Sequence, residues 1–137
     1  MGDMVKGTAY APVLLRGGIV GLFLWFGLSQ VTNPGEWIAW IPTWALSLPI
    51  APKTIVLMNG GFETVFGIAL AAGYWTRIAA LLLALHLFFI AYEIGYNDIG
   101  VRDFVLAICT LTLALFEPDR FTLDARSHAS LVSQPTS

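Results

Sequence analysis

Two apolar runs stand back to back, Lys53 to Gly73 and Thr76 to Glu93, and each carries one ionisable residue near its middle, Glu63 in the first and His86 in the second. Each is long enough to cross a hydrocarbon core, which takes about 20 mainly apolar residues at about 1.5 Å rise apiece. The pair therefore predicts a membrane hairpin. Counted inward from opposite ends at helical rise, Glu63 and His86 each fall about 15 Å deep, at one level of the bilayer. An ionisable group at that depth is costly, so it marks either a functional site or a structural pairing.

Composition supports the hairpin. Of 137 residues 57% are hydrophobic and 12% charged, with mean hydropathy +0.74. A soluble domain of this length does not offer several separate apolar runs of membrane-spanning size. The net charge of −2 is scattered, which leaves nucleic-acid binding without an electrostatic footprint. Cys109 is the lone cysteine, so neither an internal disulfide nor a multi-thiolate metal site is expected, and it reads as packing.

The remaining segments predict a single all-α domain, an integral membrane four-helix bundle. Residues 1–10 form a short cytoplasmic N-terminus, and a first span covers 11–31. Arg16 inside that run, and no small-x-small cleavage site after it, favour a retained helix over a signal peptide. Gly17, Gly18 and Gly21 form a flat face suited to helix packing, with Gly67 as a counterpart in the second span. After Asn33-Pro34-Gly35, residues 36–52 hold Pro42, Pro49 and Pro52 together with Trp37, Trp40 and Trp44. Prolines forfeit backbone donors and indoles favour the headgroup boundary, so this stretch is expected to lie in the interface as a lid. The spans at 53–73 and 76–93 follow, then a fourth at about 99–117 with a small face of Asp103, Ala107, Thr110 and Ala114. Residues 125–137 read as a disordered tail with a solvated His128. Lys6, Arg77, Arg120 and Arg126 fall on the side of the termini, against Lys53 and Arg102 opposite, which predicts both ends inside.

Over roughly residues 12–124 the chain resembles the DoxX-like membrane proteins. The resemblance rests on Arg16 in LLRGGIVGLFLWFGLSQ, on NGGFETVFGIALAAG with Glu63 and Gly67, on the following YWTRIAALLLA, and on a last helix entered through NDIGVRDFVLA and left through EPDRFTLD with Leu123 and Asp124. It implies a four-helix protein of a prokaryotic plasma membrane, linked in its relatives to thiosulfate:quinone oxidoreductase or redox-stress complexes. No catalytic residue set comes with it.

Two polar clusters are expected. The inner one joins Arg16, Asn59, Glu63 and His86, with Arg16 as the ion-pair partner of Glu63 and His86 as the second partner. The outer one holds Glu93, Asp98, Arg102 and Asp103. Both also fit a structural role as ion pairs and hydrogen bonds that fix helix register. A quinone suits an apolar slot with a donor such as His86 and a proton-accepting carboxylate such as Glu63. Haem is disfavoured, since His86 offers one axial ligand without a second, and no metal site is read. The expected role is an accessory membrane subunit of a quinone-linked redox system, in contact with lipid and with a redox partner or further copies of itself, and at most a non-self-sufficient part of an oxidoreductase. A small oligomeric transporter and a non-catalytic assembly factor are the competing classes.

Overall fold

A computed structural model describes residues 2–132, which are helical throughout apart from their turns, with no strand among them. Helix α1 runs Gly2–Thr32 and continues through the expected N-terminal tail. The proline- and tryptophan-rich stretch breaks into α2 (Pro34–Trp37), a 3-10 turn (Ile38–Trp40) and α3 (Thr43–Leu46). Then come α4 (Pro52–Ala72), α5 (Thr76–Ile94), α6 (Asp98–Leu115) and α7 (Leu123–Val132). Among the described residues three helices are long and apolar enough to cross a membrane: the Lys6–Thr32 part of α1, α4 and α5. In α6, Asp98, Arg102 and Asp103 crowd charge into the first two turns.

Local chemistry sets the boundaries. Pro52 opens α4 at a position where its missing N–H costs nothing. Gly73 closes it in the left-handed region at φ 71, with the Gly73 N–H donating to Leu70 O (3.2 Å) and the Tyr74 N–H to Ala69 O (2.9 Å). A side chain there would also collide with Thr122. Asn97 caps α6, its Oδ1 accepting from the N–H groups of Ile99 and Gly100 at 3.0 Å each.

The long helices pack in two extensive pairs, α1 along α4 and α5 along α6, and α4 against α5 joins them. Ile19, Phe23, Leu70, Leu83, Leu87 and Leu113 fill the shared core. The expected small face of α6 is buried, from Asp103 through Ala107 and Thr110 to Ala114. Leu14, Trp25, Val65 and Leu115 point outward, more than 60% exposed.

Two expectations are corrected. Gly17, Gly18 and Gly21 meet nothing within 4 Å where a Cβ would stand; the close approach of α1 and α4 lies further along, at Gly27 and Gly60. The buried row of α1 is Arg16, Ile19, Phe23, Gly27 and Gln30, and the three glycines fall off it on the outer side. The tail is also not disordered as far as Val132: α7 starts where Thr122 Oγ1 accepts from the Ala125 N–H at 3.1 Å, a side-chain cap. Residues 133–137 lie outside the described residues.

The C-terminal segment is tied to the α4–α5 turn. Asp124 N–H donates to Gly73 O (3.0 Å), and the Asp124 carboxylate accepts from Trp75 N–H (3.1 Å), Thr76 N–H (2.8 Å) and Thr76 Oγ1 (2.7 Å), so it caps α5 from a distance in sequence. It also holds Trp75 in the left-handed region at φ 48, which non-glycine residues rarely adopt. Burial pushes the Asp124 carboxyl up, but the Thr76 N–H and hydroxyl, the Trp75 N–H and the nearby His128 together outweigh it and leave it below its ordinary value of 3.8. A depressed carboxyl contributes its stability in full above the ordinary value and loses it as pH falls through the lower folded value. In the wild type the segment is therefore expected to stay docked at neutral pH and to loosen only below about pH 3.8. Asp124→Asn, which points an N–H2 at donors, should loosen it already at pH 7, seen as faster tryptic cleavage after Arg126. Equal cleavage rates in the two proteins would dismiss the cap.

Candidate functional site

The polar cluster forms where glycines let two helices touch. A Cβ on Gly60 would stand 2.6 Å from Gln30 Cβ and 2.9 Å from Gly27 O, and one on Gly27 would stand 2.6 Å from Thr64 Oγ1. That approach sets Gln30 of α1 against Glu63 of α4. Glu63 is 3% exposed, and donors converge on it from three helices. Gln30 Nε2 donates to Oε2 at 2.9 Å, Asn59 Nδ2 to Oε1 at 3.3 Å, and His86 Nε2 lies 3.1 Å from Oε1. Asn59 Nδ2 also donates to Gln30 Oε1 at 2.7 Å. A carboxylate only accepts, so both amides turn their N–H2 groups toward Glu63, and the contact from His86 is a donation when its Nε2 carries the hydrogen. Phe62 lies against the His86 ring, centroids 4.8 Å apart.

A cavity of about 470 Å³ opens beside this cluster, within the range of small-molecule sites. Gln30, Asn59 and Glu63 give it a polar floor, and Trp37, Trp40, Trp44, Phe26 and Phe89 supply aromatic walls. His86 does not line the cavity; it reaches it through Glu63. The tryptophans come from separate short pieces and not from one continuous helix face, because Pro42 interrupts the segment. Two of them are pinned. Trp37 Nε1 donates to Ser29 Oγ at 3.1 Å, with its ring edge-on to Phe26, and Trp44 Nε1 donates to Glu93 Oε2 at 3.1 Å, with its ring edge-on to Phe89.

The expected outer cluster divides. Glu93, Arg102 and Asp103 line the cavity, and Arg102 Nε and Nη2 both reach Asp103 Oδ1 at 2.9 Å. Asp98 is exposed at the start of α6 and is not part of the lining. Among the described residues no His, Cys, Asp and Glu side chains gather into a group that could hold a metal ion.

Arg16 does not meet Glu63. Its guanidinium grips Asp119, Nε to Oδ2 at 2.7 Å and Nη2 to Oδ1 at 3.2 Å, while Nη1 donates to the carbonyls of Leu70 (3.0 Å) and Ala71 (2.9 Å). The reason is helical rise. Gln30 marks the level of Glu63 on α1, and Arg16 lies about 21 Å from it along the axis, beyond the reach of any side chain. At the level of Arg16, antiparallel α4 is ending, and its last carbonyls lack intrahelical partners, which suits a cation. Arg16 thus joins the same end of the molecule as Asp124 and the α4–α5 turn.

Gln30 and Asp119 are the residues that sequence reasoning missed. Gln30 had a signal: it continues the three- and four-residue spacing of Arg16, Ile19, Phe23 and Gly27. Asp119 had none, since it sits in a polar stretch after α6 and is buried only because the chain turns back beneath α1 and α4.

A family model described as DoxX matches residues 11–94. No curated protein and no solved structure matches the chain.

Proposed function

The chain belongs to the DoxX family and is a membrane protein with apolar helices, and from that premise we propose that it is an accessory subunit of a quinone-linked redox system, holding a quinoid ring in the cavity between α1, α4, α5 and α6. One observation carries this reading: an aromatic-walled cavity whose floor is a buried carboxylate oriented by three donors. Flat rings stack on indole and phenyl walls. A redox-active ring must also exchange protons, and Glu63 with His86 behind it forms a short path for them. The electrons come from a partner redox subunit, and this chain contributes binding and proton handling.

In this reading α6 crosses as a fourth span beside α5, its charges at the outer end, so that the α2–α3 stretch lies in the headgroup region over the cavity as a lid. The arginines near the termini and the α4–α5 turn support a reading in which that end faces the inside of a prokaryotic cell. The test is thermal unfolding of the purified protein in mild detergent with a short-chain benzoquinone and, under argon, with its hydroquinone, a shift with either form counting as binding. At saturation the wild type should gain a few degrees. Trp44→Ala should lose the gain, and Leu14→Ala, on the outward face, should keep it. No shift in the wild type, or an undiminished shift in Trp44→Ala, would sink the proposal.

A further inference from the structure

The hydrogen-bond inventory of the cavity floor decides which redox form of a ring it suits. Asn59 spends both amide hydrogens, one on Gln30 Oε1 and one on Glu63 Oε1. Gln30 spends one of its two on Glu63 Oε2. His86 Nε2–H is spent on Glu63 Oε1, and His86 stands behind Glu63, away from the cavity lining. Of the floor's own residues, one N–H of Gln30 is left as donor, while Trp40 and Arg102 carry further N–H groups elsewhere in the lining.

Its acceptors are less used. Asn59 Oδ1 has no partner among the described contacts, and Glu63 Oε2 takes a single hydrogen bond although a carboxylate oxygen has room for two. Both residues line the cavity. The amides cannot turn round to reverse this balance, because a flip of either would aim a carbonyl oxygen at the Glu63 carboxylate.

Resting on the quinoid reading above, we propose that this site selects the reduced form: a hydroquinone, whose hydroxyls donate, over the corresponding quinone, whose carbonyls only accept. A hydroquinone hydroxyl on the floor donates to Glu63 Oε2 or Asn59 Oδ1, a charge-assisted bond in the first case. A quinone carbonyl in the same place faces those oxygens, displaces their water and leaves them without a partner, which is the costly arrangement. Glu63 is also the group positioned to take the proton when such a ring is later oxidised.

The experiment is equilibrium binding under argon of a tail-less methylated hydroquinone and of its quinone to the detergent-solubilised protein, followed by tryptophan fluorescence, since three indoles wall the cavity. The wild type should bind the hydroquinone at least about tenfold more tightly. Glu63→Gln, which brings an amide donor to the floor, should narrow or invert that preference. Asn59→Ala, at a half-buried position less critical to folding, should reduce hydroquinone affinity more than quinone affinity. Equal affinities in the wild type, or tighter quinone binding, would overturn the inference while leaving the quinoid site standing. Absence of binding by either form would overturn the quinoid reading itself.

Discussion

Arg16→Met is expected to be the most damaging single substitution in the chain. The guanidinium is buried, holds both oxygens of Asp119 and donates to the carbonyls of Leu70 and Ala71, so its loss takes a hydrogen bond from four acceptors at once. Removing one partner of a buried ion pair costs about 3–5 kcal/mol, because the other charge stays behind without compensation. Arg16→Lys should recover only part of this, since an ammonium cannot span the carboxylate and the helix end together. The double variant Arg16→Met/Asp119→Leu should be more stable than Arg16→Met alone, as both charges are gone. Melting temperatures in one detergent give all three comparisons. If Arg16→Met melts with Leu14→Ala, the network is ornamental. No change in affinity for a cavity ligand is expected from any of them in protein that remains folded, because Arg16 lies far along α1 from Gln30.

The contrast between Arg16 and Glu63 shows what the sequence could carry. The apolar runs, the break at Asn33-Pro34-Gly35 and the turn at Gly73 all follow from local composition, and each appears where the pattern puts it. Glu63 and His86 were legible as partners because depth counted along an antiparallel hairpin depends on one turn only, and they lie 3.1 Å apart. Arg16 was misread because its partner depends on how α1 registers against α4, and that register is set by two glycines, Gly27 and Gly60, that composition does not distinguish from the outward-facing Gly17, Gly18 and Gly21. Asp119 lies further out of reach: its burial depends on the path of the chain after α6. The cavity was visible only as ingredients. Three tryptophans and a polar stripe were readable, but not the empty space between them, which depends on the packing of four helices and a proline-broken segment.

Gly60→Leu and Gly21→Leu are expected to act in opposite directions, although each replaces a glycine inside an apolar helix. Intrinsic preference favours leucine over glycine by about 1 kcal/mol at both sites. At Gly21 nothing lies within 4 Å of the new Cβ, so that preference is unopposed and stability should hold or rise slightly. At Gly60 the Cβ would stand 2.6 Å from Gln30 Cβ and 2.9 Å from the Gly27 carbonyl, and neither backbone can yield without parting α1 from α4. Overpacking of this kind costs about 1–3 kcal/mol, and separating the helices also draws Gln30 away from Glu63, at a further cost of about 1–3 kcal/mol for a hydrogen bond to a buried charge. Gly60→Leu should thus melt well below wild type and, where folded, lose the ligand-induced shift, while Gly21→Leu keeps both. The reverse order would mean that the outward glycine face of α1 is covered in the membrane by another helix, such as that of a second copy, and that the helix contact at Gly27 and Gly60 is not the one that holds α1 in place.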